Sequence, residues 1–127
     1  KYLNIKKVPQ LFPTTGATRF ADPAQFPWTM GWQPNYQAEG RAFAAYILAN
    51  RPNAKIAILY QNDDFGRDYI AGAKDVLGTR YDTLVKAISY EVTDPTVDSQ
   101  IIALQGSGAD TFINITTPKF AATRTAE

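Results

Sequence analysis

The sequence predicts an α/β domain with a parallel β-sheet, and three observations support this fold class. Residues 55–60 (KIAILY) form a short apolar run of strand length. The polar residues 61–64 end that run, and apolar residues then recur at helical spacing from Phe65 to Leu77. From Asn35 onward, four helical patterns alternate with three strand patterns, which is typical of a layered fold with a parallel sheet.

The composition limits the classes of function. The chain has 127 residues, of which 45% are hydrophobic and 20% charged, and its formal net charge is +1. No run of basic residues indicates a nucleic-acid interface or a membrane-surface patch, so no nucleic-acid partner is expected. Histidine and cysteine are absent, which excludes disulfides, the common transition-metal sites and Ser-His or Cys-His catalytic pairs. We therefore expect a binding protein rather than an enzyme, with no cofactor and no metal.

The first 32 residues predict two short strands separated by a loop. Residues 1–7 look like the tail of a preceding element, residues 8–12 (VPQLF) are strand-like, and the aromatic segment 27–32 (PWTMGW) is a candidate second strand. Between the strands, residues 13–18 (PTTGAT) are rich in hydroxyl groups and small side chains. Such a loop leaves its backbone free to approach a ligand.

Two predicted helices flank the strand at residues 55–60. Asn35 is the predicted N-cap of the first helix. Asp63 or Asp64 is the predicted N-cap of the second, because a carboxylate there accepts the free N–H groups of the first turn, and Gly78 is its predicted end. Ligands of open α/β sheets bind at the carboxyl ends of the strands, so the loop at residues 61–64 is a predicted binding position.

Two more strands and two more helices complete the pattern. Residues 83–90 and 110–115 are strand-like, and a helix is predicted to begin at Thr93–Pro95 and to end at Gly106–Gly108. A fourth helix is predicted to begin at residues 116–118 and to run to the end of the sequence. Because helical patterns are interrupted at both ends, we expect the chain to be an internal piece of a larger protein.

The acidic side chains in these turns are interpreted as structural. Asp63 and Asp64 are expected to cap a helix, Asp68 to lie exposed to solvent, and Asp94 to open the next helix. None of them therefore indicates a metal site. Residues 64–66 (DFG) spell the metal-binding triplet of protein kinases, but the other kinase motifs are missing from the sequence.

Phe65 has two open interpretations. It is either the first buried residue of the helix face or an aromatic side chain that projects from the strand-end loop across a cleft. In the second case, the hydroxyl groups of Thr14, Thr15 and Thr18 would join it from another strand end. Together they would form a site for a small polar ligand.

Four stretches resemble the branched-chain amino acid-binding (type I periplasmic) family, the solute-binding proteins of ABC importers. They are VPQLFPTTGAT, EGRAFAAYI, AILYQNDDFGRDY and TVDSQIIALQGSGADTFIN, and they cover nearly the whole chain in the family's order. The resemblance implies a three-layer α/β/α fold with a parallel sheet, incomplete here because family members are longer and have two lobes. It further implies that residues 1–32 end the first-lobe segment, that 33–34 make the first hinge crossing, and that 35–127 form most of the first segment of the second lobe.

The same resemblance implies a set of ligand-contacting positions. They are Gly16, Ala17, Thr18, Tyr36, Phe65, Thr116 and Thr117. Residues 16–18 match the first-lobe loop whose backbone groups and hydroxyl hold the carboxylate and ammonium of the ligand. Phe65 matches an aromatic residue, often Tyr, that closes over the ligand, and the two late threonines match a second-lobe loop that often supplies Tyr. Tyr36 stands near a hinge position that is acidic in several members.

These departures from the family pattern bear on the ligand. Phe65 and the two threonines stand where Tyr is frequent, and no carboxylate stands at the hinge position. The resemblance implies a small amino acid or carboxylate as the ligand, and these departures favour a carboxylate without an ammonium, such as an aromatic or short organic acid, over an ordinary amino acid.

The implied function is that of an ABC importer's receptor with no chemistry of its own. Contacts from both lobes would stabilise a hinge-closed state that the membrane permease recognises. The expected location is the periplasm or, with a lipid anchor, the outer surface of a Gram-positive cell. Unpaired strand edges also make self-association an expectation. Two alternatives stay open: a ligand-sensing effector domain of a transcription regulator, and a flavodoxin-like enzyme, which the missing cofactor loop disfavours.

Overall fold

The computed structural model describes residues 1–122, which form six α-helices and five β-strands. In chain order these are α1 (Tyr2–Ile5), β1 (Gln10–Leu11), β2 (Thr29–Met30), α2 (Tyr36–Asn50), β3 (Ile56–Gln61), α3 (Asp64–Leu77), α4 (Tyr81–Leu84), β4 (Val85–Tyr90), α5 (Asp98–Gln105), β5 (Thr111–Ile115) and α6 (Pro118–Ala121). Short 3₁₀ turns lie at Thr18–Ala21 and Gly78–Arg80. Within these 122 residues, no helix combines the length and the apolar character needed to cross a membrane.

The larger sheet has three parallel strands in the order β4-β3-β5. In the central strand, Ile56 lies in register with Val85 on one side and Thr111 on the other. Of the six residues of β3, only Tyr60 is partly exposed. A strand covered on both edges and both faces has no solvent side, and this is why a continuous apolar run marks it in the sequence.

Side chains of β3 alternate between two apolar clusters on opposite faces of the sheet. Ile56 and Ile58 pack in the cluster that α2 and α3 cover, together with Tyr69 of α3. Ala57 and Leu59 pack in the cluster that α5 and α6 cover. Helices therefore lie on both faces, and the predicted α/β fold with three layers and a parallel sheet is confirmed.

Helices α2 and α3 approach each other closely at a glycine. A Cβ atom on Gly72 would lie 2.1 Å from the backbone oxygen of Gln37, so any larger residue would push the helices apart. The close crossing sets the relative position of the two helices. At their N-terminal ends, the rings of Tyr36 and Phe65 meet edge to face with centroids 5.0 Å apart.

The N-terminal region, residues 1–32, is built differently. Strands β1 and β2 pair in parallel with each other as a separate two-stranded sheet. Asn4 ties α1 to this sheet, because its Nδ2 donates to Thr29 Oγ1 (2.7 Å) and its Oδ1 accepts from the Trp28 N–H (2.8 Å). Many of the large apolar side chains of the region are exposed: Tyr2, Ile5, Val8, Leu11, Phe12, Trp28, Met30 and Trp32.

Several element boundaries differ from the sequence-based expectation. Helix α5 begins at Asp98 rather than at residues 93–95, because the Asp94 carboxylate accepts a hydrogen bond from the Glu91 N–H (2.9 Å) and closes a turn before the helix. The strand expected at 83–90 begins at Val85, since α4 precedes it, and the N-terminal tail contains the short α1. The helix expected at the end of the sequence begins at Pro118, and its predicted continuation lies outside the described residues.

Candidate functional site

A cavity of about 350 Å³ lies between the N-terminal region and the C-terminal region, residues 35–122. The N-terminal region contributes Thr15, Ala17, Arg19 and Phe20 to its lining, and the C-terminal region contributes Tyr36, Asp63, Asp64 and Phe65. The last three follow the carboxyl end of β3, where ligands of open α/β sheets bind. The structure thus joins the PTTGAT loop to the turn after the central strand.

The loop at residues 16–18 packs directly against α2 and α3. The Gly16 carbonyl accepts a hydrogen bond from the Tyr36 N–H (2.7 Å). A Cβ atom at position 16 would lie 2.6 Å from the Tyr36 ring, so the approach requires glycine. The Ala17 N–H donates to Thr15 Oγ1 (3.1 Å), and the Ala17 side chain is buried. The loop is therefore held in place by its own residues and by the start of α2.

Thr18 connects this loop to α3. Its N–H donates to the Asp68 carboxylate at 2.7 Å. The expectation that Asp68 lies free in solvent is therefore wrong: the side chain is half-buried and anchors the loop. The Thr18 hydroxyl is buried and has no hydrogen-bond partner among the described residues, which leaves an unused donor and acceptor beside the loop.

Phe65 belongs to an aromatic cluster and also lines the cavity. Its ring meets Tyr36 and Tyr69 edge to face, with centroids 5.0 Å and 5.5 Å apart, and it is half-buried. The ring contacts the apolar core and also lines the cavity, so its burial agrees with the first interpretation, and its role toward a ligand stays a prediction. Edge-to-face contacts of this kind fix ring orientation.

Tyr69 belongs to the same aromatic cluster. It stacks on Tyr36 with a centroid distance of 5.4 Å, and its hydroxyl donates to the Glu39 carboxylate. Burial, followed by the hydrogen bond and charge of Glu39, holds the pKa of Tyr69 well above its usual value. Tyr69 therefore stays neutral and keeps donating this hydrogen bond over the physiological pH range.

The three charged side chains that line the cavity, Arg19, Asp63 and Asp64, all have hydrogen-bond or ion-pair partners. Asp63 is the N-cap of α3, as predicted: its carboxylate accepts from the Gly66 N–H (3.3 Å) and from Gln61 Nε2 (2.6 Å). Asp64 forms an ion pair with Arg19 across the cavity, with 2.7 Å between Oδ2 and Nη1. The described residues hold no group of His, Cys, Asp and Glu side chains suited to a metal ion.

Thr116 and Thr117 lie at the carboxyl end of β5 and do not line the cavity. The Thr116 hydroxyl donates to Asn114 Oδ1 (2.7 Å), and the Thr117 N–H donates to the Tyr90 hydroxyl (3.1 Å). Tyr90 in turn donates to Gln61 Oε1 (3.1 Å), and Gln61 reaches the cavity through Asp63. Thr117 therefore connects to the cavity through a chain of hydrogen bonds, whereas the hydroxyl of Thr116 bonds to Asn114 of β5.

The predicted site residues fall into three groups. Ala17, Tyr36 and Phe65 line one cavity, Gly16 and Thr18 flank it, and Thr116 and Thr117 stand apart. The sequence-based reasoning missed Arg19 and the buried Gln61. Arg19 directly follows the loop motif, and Gln61 is a polar residue at the end of an apolar strand. The local sequence could therefore have indicated both.

A parallel sheet with a cavity at the carboxyl ends of its strands is common among small-molecule-binding α/β proteins. The family model for periplasmic binding proteins matches residues 1–126. The chain therefore belongs to the periplasmic binding protein family, and the resemblance seen in the sequence is confirmed. A comparison with curated protein sequences found no match.

Solved structures with the same fold have low sequence identity to this chain. A periplasmic binding protein from Burkholderia mallei is 14% identical with a TM-score of 0.73, and the match covers 91% of this chain and 30% of that one. A substrate-binding periplasmic protein from Ralstonia solanacearum is 24% identical (TM-score 0.68; 91% and 31% covered). A branched chain amino acid ABC transporter from Thermus thermophilus with bound valine is 15% identical (TM-score 0.69; 91% and 30% covered). The chain thus spans about three tenths of the length of each of these structures.

Proposed function

We propose that this chain is part of the solute-binding component of an ABC importer, and that it binds a small amino acid or a carboxylate. One observation carries the proposal: half of the residues that line the cavity come from the N-terminal region and half from the C-terminal region. A ligand in that cavity would touch both regions at once. Membership of the periplasmic binding protein family and the fold shared with such proteins support this function.

The mechanism that we propose is hinge closure. Residues 1–32 would end a first lobe, 33–34 would cross the hinge, and the chain from residue 35 would belong to a second lobe. Ligand contacts from both sides would lower the free energy of the closed state. Tyr36 and Phe65 would supply apolar contacts from the second lobe, and the lining residues of the N-terminal region, which begin in the 13–18 loop, would supply contacts from the first. Thr116 and Thr117 would come to the ligand only if closure moves the end of β5 toward it.

The partners follow from this function. A permease in the membrane would recognise the closed form, and the protein would work outside the cytoplasm, in the periplasm or on a lipid anchor. No chemical step is required of any residue, because binding and release are the whole task.

The proposal is tested with the protein in its natural length. Thermal-shift screening against amino acids and organic acids selects the best ligand, and titration calorimetry measures its affinity. We expect Phe65→Ala to weaken binding by about 1–3 kcal/mol, because one wall of the cavity loses its ring. Phe112→Ala is the matched control, since Phe112 is an exposed residue of β5 that does not line this cavity.

Unchanged affinity in Phe65→Ala, combined with a large drop in melting temperature, would contradict the proposed role and place Phe65 in the core alone. Equal losses of affinity in both variants would show that the cavity is not the binding site.

A further inference from the structure

Two of the three backbone N–H groups in the loop expected to hold the ligand's anionic group are already engaged. The Ala17 N–H donates to Thr15 Oγ1, and the Thr18 N–H donates to the Asp68 carboxylate at 2.7 Å. A carboxylate facing these amides would meet the negative charge of Asp68 and would have to displace it. Breaking a short hydrogen bond to a charged acceptor is costly. The amides of Ala17 and Thr18 are thus poor candidates for anion recognition in this protein.

The N-terminus of α3 is also closed to an anion. Asp63 caps it by accepting from the Gly66 N–H, and the same carboxylate accepts from Gln61. Asp63 and Asp64 both line the cavity, so this end of the helix already carries negative charge. A ligand carboxylate placed there would be repelled.

Arg19 is the one cation among the described residues that line the cavity. One of its terminal nitrogens, Nη1, contacts Asp64 at 2.7 Å, and the guanidinium carbon lies 5.2 Å from the centre of the Phe20 ring. A guanidinium has five N–H donors in a planar fork that matches the geometry of a carboxylate. Arg19 can therefore hold Asp64 with one edge and offer further donors to a ligand.

We propose that Arg19 recognises the anionic group of the ligand and so sets the protein's preference for small carboxylates with an apolar body. The proposal rests on the solute-binding function proposed above. The carboxylate lies on the guanidinium, and the apolar body lies against Tyr36 and Phe65, which line the same cavity. Asp64 holds Arg19 in place and also competes for its donors, which limits the affinity for anions.

This arrangement predicts opposite effects for the two partners of one ion pair. Arg19→Gln removes the positive charge and weakens binding of a carboxylate. Asp64→Asn removes the competing negative charge and leaves binding unchanged or tighter. A salt bridge that only fastens the two regions together would behave differently, because loss of either partner would break it and weaken binding alike.

The experiment uses the protein in its natural length and two matched pairs of probes: benzoate with benzamide, and L-phenylalanine with L-phenylalaninamide. Titration calorimetry is expected to show binding of at least one acid and at least tenfold weaker binding of its amide. We expect Arg19→Gln to weaken binding of that acid by about tenfold, Arg19→Lys to weaken it less, and Asp64→Asn to leave it equal or about two- to fivefold tighter. Arg19 and Asp64 are both exposed at the rim, with 62% and 49% of their side chains accessible, so folding is expected to survive.

Thr18→Val separates this proposal from recognition by the loop. The substitution removes the buried hydroxyl and preserves the shape of the side chain, and we expect it to weaken binding of the acid less than Arg19→Gln does. Loss of binding in Thr18→Val with full binding in Arg19→Gln would overturn the assignment to Arg19 while leaving the solute-binding function intact. Equal binding of acid and amide would also overturn the assignment to Arg19 without contradicting the solute-binding function. Equal losses of affinity in Arg19→Gln and Asp64→Asn would do the same. Binding of neither acid by the folded wild-type protein would overturn both the assignment and its basis, a carboxylate ligand.

Discussion

Apolar side chains are mostly buried or half-buried in the C-terminal region and largely exposed in the N-terminal region. In the C-terminal region, Ile58 and Leu59 of the central strand are 1% and 2% exposed. In the N-terminal region, Leu11 and Trp32 are 60% and 69% exposed, although they lie on or next to strands. One region has a core between a sheet and two layers of helices, and the other has a two-stranded sheet without such a cover.

This difference separates the residues that stabilise the fold from the residues that position the candidate binding loop. A two-stranded sheet is marginal by itself, so the N-terminal region depends on its contacts with the rest of the molecule. Those contacts are concentrated at the cavity: Gly16 against Tyr36, Thr18 on Asp68 and Arg19 on Asp64. The core gives the C-terminal region its shape, whereas the interactions at the cavity position the N-terminal loop.

The largest expected difference lies between two apolar truncations. Ile58→Ala should lower the free energy of unfolding by about 2–5 kcal/mol, because it leaves a cavity in a fully packed sheet. Leu11→Ala is the matched control and should change it by less than about 0.5 kcal/mol, since Leu11 is mostly exposed. Chemical denaturation monitored by circular dichroism measures both. A loss in Leu11→Ala as large as that in Ile58→Ala would mean that the N-terminal sheet is covered in solution, for example by a second copy of the chain.

Much of the C-terminal region follows from local sequence signals. Asn35 and Asp63 cap their helices as predicted, with Asn35 Oδ1 accepting from the Ala38 N–H at 2.8 Å, and α3 ends at Gly78. Caps and apolar periodicity act within a few residues, so one sequence is enough to detect them. The turn closed by Asp94 was missed because a capping residue and a turn residue have the same chemistry.

The contacts that build the cavity could not be predicted in the same way. Thr18 and Asp68 are 50 positions apart, and Thr117 and Tyr90 are 27 apart, so no local pattern links them. Asp68 shows the problem clearly: as an acidic residue on a helix it is expected to face water, and only the fold brings the loop to it. The resemblance to a family indicated the loop and Phe65, but not Arg19.

The contact between the loop and α3 gives a prediction of intermediate size. Asp68→Ala should lower the free energy of unfolding by about 1 kcal/mol, because the Thr18 N–H loses its acceptor in a partly buried position. It should also speed trypsin cleavage after Arg19, since the loop is no longer fastened to the helix. Limited proteolysis followed by mass spectrometry measures this, with Asp82→Ala on the exposed face of α4 as the control. Protection of the Arg19 site equal to wild type would show that the N-terminal region holds its loop without Asp68.

The smallest effect at neutral pH is expected at Tyr81, a buried residue of α4 in the C-terminal region. Burial, followed by the nearby Tyr60 and Asp82, raises the pKa of Tyr81 to about 12. A tyrosine in an unfolded chain ionises near pH 10. The unfolded chain therefore releases this proton at lower pH than the folded one, and stability present below about pH 10 is lost as the pH rises toward 12.

Tyr81→Phe removes the ionisable group and should leave stability near neutral pH almost unchanged. Between about pH 10 and 12 its melting temperature should fall less steeply than that of the wild type, because one source of proton release is gone. The melting temperature of Tyr81→Phe still falls with pH, since the pKa of Tyr69 is also raised in this region of the molecule. Tyr2→Phe is the control from the N-terminal region, where Tyr2 is 70% exposed. If the two variants gave the same alkaline slope, Tyr81 would be open to water in solution, and the tightly packed character of the C-terminal region would not extend to α4.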